Sequence, residues 1–194
     1  ALIYSAGYAV NVGLIPTLVN GSNDLIISDE LNHGSIIDGV RLTKASRAVY
    51  SHNDMGELEN ILNNNKNSER KLIITDGVFS MDGDIAPLDE ITKLGEEHDA
   101  MIFVDDCHGE GVLGGGKGIV SHFGLQGRVN FEVGSYSKAL GVQGGILAGS
   151  EEVRRHALNH SRSWLLSGSQ PPAVAAAQKA SIEVLMTEPE HVQK

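Results

Sequence analysis

The sequence predicts an α/β protein in which a mostly parallel, mixed central sheet carries helices on both of its faces. Short apolar runs alternate along the chain with longer segments of helical periodicity. The run Leu72–Thr75 is short and almost wholly apolar, which is typical of a strand buried in a parallel sheet. Glycine accounts for 23 of 194 residues and indicates many tight turns, and this length suffices for one domain with a sizeable core.

In the first half of the chain, helices and strands follow one another in turn. Val10, Leu14 and Leu18 recur at helical spacing and predict the first helix. Asn53 or Asp54 can cap a later one, because both side chains accept hydrogen bonds from backbone N–H groups. The elements predicted up to residue 104 are helix 4–20, strand 24–28, a helix ending at 44, strand 47–51, helix 55–64, strand 72–75, helix 87–98 and strand 101–104.

The second half is richer in glycine and alternates less regularly. A Gly-rich stretch of low order is predicted at 109–118, and small residues surround a single lysine, Lys138. Prolines mark the start of the last helix, where their fixed backbone angle is tolerated. The elements predicted here are strand 129–133, strand 145–148, helix 151–160 and a long Ala-rich helix that begins at Pro171-Pro172.

Charge, cysteine content and hydropathy restrict the classes of function. The formal net charge of −10 argues against a nucleic-acid phosphate backbone as partner. A lone cysteine, Cys107, excludes an internal disulfide and favours a reducing, cytoplasmic setting. No apolar run reaches the roughly 18 residues that a membrane span needs, and no signal peptide pattern opens the chain. We therefore expect neither nucleic acid nor membrane as a partner.

Polar side chains follow the ends of four predicted strands. In an open α/β sheet the carboxyl ends of parallel strands share one edge, and ligands bind there. We therefore expect these side chains to form a single site. The loops after strands 24–28, 72–75, 101–104 and 129–133 bring His33, Ser80, Asp105, His108 and Lys138 to that edge.

Lys138 and Asp105 have the surroundings of reactive groups. Small neighbours leave Lys138 open to a flat ligand, and burial would make its amine a usable nucleophile; an ordinary surface lysine is the alternative. Asp105 ends an apolar strand, where a carboxylate needs a cation or a hydrogen-bond donor. Its alternatives are a cap on the following turn and a metal site shared with His108, which no further cysteine or paired histidine supports.

A flat, phosphorylated aldehyde accounts for all of these features. His33 can stack its ring on such a ligand, and the open start of the first helix can bind a phosphate. A satisfied loop histidine and a capped, packed helix start are the corresponding alternatives. Pyridoxal phosphate needs a lysine for a Schiff base, a carboxylate at its pyridine nitrogen and a phosphate site. The residues therefore favour pyridoxal phosphate as the cofactor and no metal.

Four stretches of the sequence resemble the α-oxoamine synthases, which are fold-type-I pyridoxal phosphate enzymes that condense an amino acid with an acyl-CoA. The similarity runs with even spacing over nearly the whole chain. Among the members, residues 32–42 and 79–88 are most similar to glycine C-acetyltransferase (2-amino-3-ketobutyrate CoA ligase), and the 8-amino-7-oxononanoate synthases come close behind. The four stretches are Asp24–Asp38, Asp76–Gly83, Val104–Gly109 and Ser135–Gly141.

The resemblance implies a role for each residue of the predicted site. Lys138 forms the Schiff base with the cofactor and later moves the Cα proton of the amino acid, while Asp105 pairs with the pyridinium nitrogen. His108 and Ser80 contact the side of the ring that carries the hydroxyl group, and His33 stacks on the ring. The residues to which the resemblance assigns catalysis are Lys138, His33, Asp105 and His108.

The resemblance also implies a phosphate site at the start of the first helix. Backbone N–H groups of Gly7 and Tyr8 hold the phosphate, helped by Ser135, which keeps a hydroxyl where the family usually has threonine. Ser167 and Gly168 match a loop that reaches the phosphate of the neighbouring subunit's cofactor, which implies a homodimer with shared sites. Gly168 replaces threonine or asparagine and leaves at most a backbone contact there.

The expected reaction is the condensation of glycine with acetyl-CoA to a 2-amino-3-oxo acid and CoA. The alternatives are a decarboxylating condensation of the 8-amino-7-oxononanoate synthase type, another pyridoxal phosphate reaction such as transamination, and a non-catalytic homologue. Residues 1–194 are expected to form one cofactor-binding major domain. Because the sequence starts without Met and stops in a helix-like run, 186–194, we expect a fragment without an N-terminal segment and a C-terminal small domain.

Overall fold

The structure, a computed structural model, describes residues 1–192, whose strands form a seven-stranded sheet. The strand order across the sheet is β1-β7-β6-β5-β4-β2-β3. Strands β2 to β6 are parallel, whereas β7 runs antiparallel to β6 and β1 antiparallel to β7. This mixed, mostly parallel sheet confirms the predicted fold class. The strands are β1 (Leu2–Tyr4), β2 (Leu25–Asp29), β3 (Ser46–Tyr50), β4 (Lys71–Asp76), β5 (Met101–Asp105), β6 (Phe131–Ser135) and β7 (Gly145–Gly149).

Helices connect the parallel strands and cover the sheet. Parallel neighbours need such crossover connections, because a tight turn can join only antiparallel strands. The helices are α1 (Gly7–Leu18), α2 (Gly34–Arg41), α3 (Met55–Asn64), α4 (Leu88–Glu97), α5 (Ile119–His122), α6 (Glu151–His160), α7 (Arg162–Leu165) and α8 (Pro172–Thr187), and short 3-10 turns occur at Gly114–Gly116 and Pro189–His191.

The sheet is buried on both faces, because successive side chains of a strand point to opposite sides. On β4, Ile74 belongs to a core that includes residues of α1 and α2. Its neighbour Ile73 belongs to a second core, which includes residues of α3 and α4. Both isoleucines are fully buried. The continuous apolar run of β4 therefore reflects a strand covered by helices on each side.

Local sequence signals agree with the observed ends of several helices. Asp54 caps α3 by accepting a hydrogen bond from the Glu57 N–H at 2.9 Å. Helix α2 ends at Arg41, three residues before the predicted end. It ends there because the Leu42 and Thr43 N–H groups bond to carbonyls three residues back, which tightens the last turn.

The differences from the prediction lie in short elements and in pairing. Strand β1 and the four-residue helices α5 and α7 were not predicted, because elements of three or four residues are too short to show a period. Strand β6 begins and ends two residues later than the predicted 129–133, because Gly134 and Ser135 continue the pairing with β7. The predicted helix-like run 186–194 is interrupted after Thr187, and positions 193 and 194 lie outside the described residues.

Helix α8 packs least against the rest of the described chain. Its sequence is apolar along most of its length, yet Gln178 is its one buried residue within residues 1–192. Gln178 Nε2 donates to the Gln143 carbonyl at 2.7 Å and ties the helix to the turn before β7. In the part of the chain that the structure describes, no helix combines the length and the apolar character needed to cross a lipid bilayer.

Candidate active site

A cavity of about 200 Å³ opens at the carboxyl ends of β2, β4, β5 and β6. Parallel strands end at one edge of a sheet, so the loops that follow them meet there. The structure therefore brings the strand-end residues together in one cavity, as expected. The predicted site residues that line this cavity are Gly7, Tyr8, His33, Ser80, Asp105, His108, Ser135 and Lys138.

The amine of Lys138 contacts the imidazole of His108 in this cavity. Lys138 Nζ donates to His108 Nε2 at 2.8 Å. Burial, followed by the charge of Lys138, lowers the pKa of His108 and favours the neutral imidazole, which has one nitrogen able to accept. Lys138 itself is exposed, so burial does not activate its amine as the sequence suggested. Contact with a neutral imidazole holds the amine in the cavity instead.

Asp105 is a buried carboxylate with a donor on each oxygen. Its Oδ2 accepts from Asn11 Nδ2 at 2.6 Å, and its Oδ1 accepts from the Cys107 N–H at 3.1 Å. Such donors offset the loss of water around the negative charge. Because the Cys107 N–H donates to Asp105, this carboxylate also caps the turn that follows β5, which was one of the alternatives for Asp105. Asn11 was missed by sequence reasoning, although an amide among the apolar residues of α1 was a usable signal.

Asp76 is a second buried acid in the cavity, and it too was missed. It ends β4 directly opposite Asp105 in the strand register. Burial, followed by the charge of Asp105, raises the pKa of Asp76 to about 8. Its Oδ2 accepts from the His33 N–H at 3.0 Å, which joins the ends of β4 and β2. The usable signal was its position, because it follows a buried strand as Asp105 does.

His33 occupies the N-cap position of α2 and leaves its ring open to the cavity. Its Nδ1 accepts from the Ser35 N–H at 3.2 Å and lies 2.7 Å from Ser35 Oγ. The cap therefore fixes the ring's position at the cavity edge. The alternative of a satisfied loop histidine holds for Nδ1, while the face of the ring remains available to a flat ligand.

The start of α1 lines the cavity. Among residues 1–192, no side chain caps this helix, which begins at Gly7 after Ala6. A Cβ at Gly7 would lie 3.1 Å from Cys107 Sγ and 3.3 Å from Ser135 Cβ, so glycine is the residue that fits there. The hydroxyls of Ser135 and Ser137 lie 2.7 Å apart beside it. Free N–H groups and hydroxyls of this kind bind phosphate.

Ser80 lies on the loop after β4. The imidazole of His52 anchors this loop to the end of β2. His52 Nδ1 contacts Asp29 at 3.0 Å, and His52 Nε2 contacts Asp84 on the same loop as Ser80. Burial lowers the pKa of His52. The hydrogen bonds and charges of Asp29 and Asp84 raise it by more, so the net shift is upward. The ring also packs edge-on against Phe79 at 4.4 Å.

Ser167 and Gly168 lie away from this cavity. They line a separate cavity of about 650 Å³, together with β1 and the side chain of Trp164. Gly168 has a φ of 75°, a left-handed conformation that favours glycine. The resemblance assigned both residues to a neighbouring subunit's cofactor, so contact with this chain's own cavity is not expected, and their role stays a prediction.

Among residues 1–192, no group of three potential ligands includes Asp105 or His108, the pair considered for a metal. Within residues 1–192, the side chains grouped closely enough to hold an ion are Glu188, Glu190 and His191, all exposed and distant in sequence from Asp105. His108 Nε2 already accepts from Lys138. The arrangement suits an organic ligand with a carbonyl group better than a cation.

The ligand edge of this sheet combines a lysine, a paired carboxylate and an open helix start. Together with the fold-type-I sheet, these features define the class of pyridoxal phosphate enzymes. The chain belongs to the aminotransferase class I and II family, whose model matches residues 1–194. Within this family it is an α-oxoamine synthase-like member, as its motifs predicted.

The named relatives lie on one branch of that family. The chain is 52% identical to 8-amino-7-oxononanoate synthase 1 of Bacillus velezensis and 53% identical to the 8-amino-7-oxononanoate synthase of Fervidobacterium nodosum, covering 100% of this chain and 50% of each relative. It thus spans about half the length of the curated relatives it matches. The serine palmitoyltransferase of S. paucimobilis with a bound PLP–myriocin aldimine matches with a TM-score of 0.91 and 34% identity, covering 96% of this chain and 47% of that one.

These comparisons bear on two of the predictions. Pyridoxal phosphate as the cofactor of this family is confirmed. The greater similarity to glycine C-acetyltransferase is not confirmed, because the relatives at about 50% identity bear the name 8-amino-7-oxononanoate synthase. Each of the four motif stretches contributes residues to the cavity at the sheet edge, so the motifs bear on the site common to the family.

Proposed function

We propose that the intact protein uses pyridoxal phosphate to condense an amino acid with an acyl thioester, with loss of the amino acid's carboxyl group, as an 8-amino-7-oxononanoate synthase. The observation that carries this proposal is the single cavity that holds both the amine of Lys138 and the carboxylate of Asp105. The names of the most similar relatives support this reaction over acetylation of glycine.

The name of that product identifies the substrates by carbon count. In 8-amino-7-oxononanoate, carbons 1 to 7 are an acyl group with a terminal carboxylate, and carbons 8 and 9 are the Cα and methyl group of alanine. A C–C bond forms between Cα and the thioester carbonyl carbon, and the C–S bond and the bond from Cα to its carboxylate both break. Carbon dioxide and CoA thiol leave, and one proton is taken up. We therefore propose alanine and a seven-carbon dicarboxylic acyl-CoA as substrates.

The residues present fit the cofactor. The carboxylate of Asp105, buried and paired with donors, suits a protonated ring nitrogen. The start of α1, which no side chain among residues 1–192 caps, suits a phosphate. The residues proposed to hold the cofactor are Asp105 at the ring nitrogen, His108 and Ser80 at the hydroxyl side, His33 at the ring face, Gly7, Tyr8 and Ser135 at the phosphate, and Lys138 at the aldehyde.

The chemistry that pyridoxal phosphate supplies when bound is the withdrawal of electrons from the amino acid's Cα. The chain's own residues handle the protons. Lys138 Nζ can carry a proton to and from Cα, because it lies in the cavity on a flexible stem. His108 accepts from that amine and holds it near the reacting atoms. The buried carboxylate of Asp105, fixed by Asn11 and by the Cys107 N–H, would hold the ring nitrogen.

An assay of CoA thiol and carbon dioxide release by the intact protein tests this function. We expect alanine with the seven-carbon dicarboxylic acyl-CoA to give the highest rate, with equal amounts of thiol and carbon dioxide. Glycine with acetyl-CoA and serine with palmitoyl-CoA are the competing pairs, the second suggested by the structural likeness to serine palmitoyltransferase. Amino-group exchange with a keto acid, without thiol release, would contradict a condensing enzyme.

Replacement of Lys138 tests the assignment of the amine. We expect Lys138→Ala to lower the turnover by at least about a hundredfold, because general acid–base groups contribute on that order. Lys117→Ala is the matched control, since Lys117 is an exposed lysine in the loop outside the cavity. Equal rates for Lys138→Ala and Lys117→Ala would remove Lys138 from the mechanism.

We further propose that the intact protein is a homodimer that works in the cytoplasm, and that residues 1–194 are its cofactor-binding major domain. The cavity beside β1, which contains Ser167 and Gly168, supports a contact with a second copy. The buried thiol of Cys107 suits a reducing compartment. Sedimentation of the intact protein tests the dimer, and a concentration-independent monomer would contradict it.

A further inference from the structure

The amide of Asn11 lies behind the cavity and donates both of its hydrogens. Its Nδ2 bonds to Asp105 Oδ2 at 2.6 Å and to Ser35 Oγ at 2.8 Å. Asn11 is fully buried, Ser35 is 2% exposed and Asp105 is 5% exposed, so water cannot replace these contacts. One side chain on α1 thus contacts both the acid that ends β5 and the first turn of α2.

The direction of these hydrogen bonds extends to His33. Because Ser35 Oγ accepts from Asn11, its own hydrogen is free to donate to His33 Nδ1, 2.7 Å away. The backbone N–H of Ser35 also donates to that nitrogen, at 3.2 Å. An atom that accepts from two donors presents a lone pair and carries no proton. The hydrogen of the neutral His33 ring is therefore on Nε2.

The orientation of the Asn11 amide follows from the acceptor role of Asp105 Oδ2. The amide oxygen of Asn11, Oδ1, is buried and has no hydrogen-bond partner among residues 1–192. An unpaired buried carbonyl oxygen is unfavourable, so the opposite orientation must be worse. Turning the amide over would place the Asn11 oxygen against the carboxylate of Asp105, and two acceptors in contact repel. The observed orientation is therefore the one in which the Asn11 amide donates to Asp105 Oδ2.

We propose that Asn11 and Ser35 are positioning residues that link Asp105 to His33, fixing the carboxylate of the acid in place and the imidazole in its Nε2–H form. The consequence for the reaction rests on the function proposed above. The two groups assigned to the ring nitrogen and the ring face would then be set by one hydrogen-bonded chain, and a change at Asn11 would alter both.

Nitrogen NMR of the intact protein with labelled histidine reads the His33 tautomer directly, without catalysis. The His33 signal is assigned by its loss in His33→Gln. We expect an unprotonated Nδ1 and a protonated Nε2 in the unsubstituted protein. Ser35→Ala removes one of the two donors to Nδ1 and is expected to shift the His33 signals toward a mixture of tautomers, and Ser35→Thr, which keeps the hydroxyl, is expected to restore them. Ser121→Ala, in the remote helix α5, is the control.

Asn11→Asp tests the other end of the chain. It keeps the shape of Asn11 but removes the donor and places a carboxylate beside Asp105. We expect at least about a tenfold fall in kcat with little change in KM, since outer residues that orient reacting groups have effects of this size. If this variant does not fold, Ser35→Ala provides the same comparison through the NMR signals.

The outcomes separate this inference from the proposed function. A protonated Nδ1 in the unsubstituted protein, or His33 signals unchanged in Ser35→Ala, would overturn it even if condensation activity is found. A His33 response without condensation activity would refute the proposed function and leave the hydrogen-bonded chain in place. A loss of folding stability in Ser35→Ala with unchanged His33 signals would show that Ser35 is merely structural, which also overturns the inference.

Discussion

Two acids at the ends of neighbouring strands have opposite environments. Asp105 receives a donor on each oxygen, one from Asn11 and one from the Cys107 backbone. Asp76, its register partner, accepts from the His33 N–H, and burial followed by the charge of Asp105 raises its pKa to about 8. At neutral pH the folded chain therefore holds a proton on Asp76 that an exposed carboxyl group would have lost.

Replacement of Asp76 by its neutral isostere should change how stability depends on pH. The folded chain holds a proton on Asp76 up to about pH 8, whereas the unfolded chain loses it near the usual value of 3.8. The folded state thus binds more protons between these values, and stability falls as the pH rises through them. Asp76→Asn removes this loss and keeps an acceptor for the His33 N–H.

We expect Asp76→Asn to be more stable than the unsubstituted protein at about pH 9 and to lose this advantage at about pH 4. Urea unfolding at the two pH values measures the difference. Asp82→Asn, an exposed aspartate on the same loop, is the control. A stability difference that stays constant between the two pH values would contradict the assignment of the proton to Asp76.

Helices α1 and α2 approach closely at one glycine. A Cβ at Gly39 would lie 2.8 Å from the Asn11 carbonyl oxygen and 3.0 Å from Ile15 Cδ1. The first of these contacts is with backbone, which cannot move aside as a flexible side chain can. The small residue therefore sets the distance between the two helices, and that distance places Asn11 next to Ser35.

The substitution Gly39→Ala tests this close approach. We expect it to lower the free energy of unfolding by about 1–3 kcal/mol, because the helices must move apart to accept the methyl group. Gly34→Ala, at the exposed start of the same helix, meets no atom within 4 Å. That control should be neutral or stabilising by up to about 1 kcal/mol. Similar effects of both substitutions in urea unfolding would contradict tight packing at Gly39.

Across the whole molecule, the sheet separates two hydrophobic cores, and side chains of strand β4 belong to both. Ile73 and Ile74 are adjacent on β4, fully buried, and belong to different cores. A buried face specifies the register of a strand, and both faces of β4 are buried. The site depends on this arrangement, because Asp76 at the end of β4 stands opposite Asp105 only in that register.

Truncation on either face of β4 should be equally harmful. We expect Ile73→Ala and Ile74→Ala each to lower the free energy of unfolding by about 2–5 kcal/mol, the range for large-to-small changes in cores. Val49→Ala on the edge strand β3, where the side chain is 59% exposed, should cost less than about 1 kcal/mol. Urea unfolding measures all three, and a loss for only one isoleucine would show that one layer is dispensable.

Local patterns in the sequence were sufficient for the order of most elements and for most of the cavity. Helical spacing marked α1, Asp54 marked the start of α3, and strand-end positions marked Asp105 and Lys138. These features are predictable because a period or a cap involves residues only a few positions apart. The shared motifs of the α-oxoamine synthases predicted the family. They ranked the 8-amino-7-oxononanoate synthases second to glycine C-acetyltransferase, whereas the named relatives support the second.

Tertiary structure alone decided the pairings that join distant parts of the chain. Strand β1 exists because Leu2 pairs opposite Leu147, and Asn11 reaches Asp105 across 94 positions of sequence. The raised pKa of Asp76 likewise depends on burial and on a neighbouring strand. No local period encodes such contacts, since they arise only when packing brings separate elements together and removes the water between them.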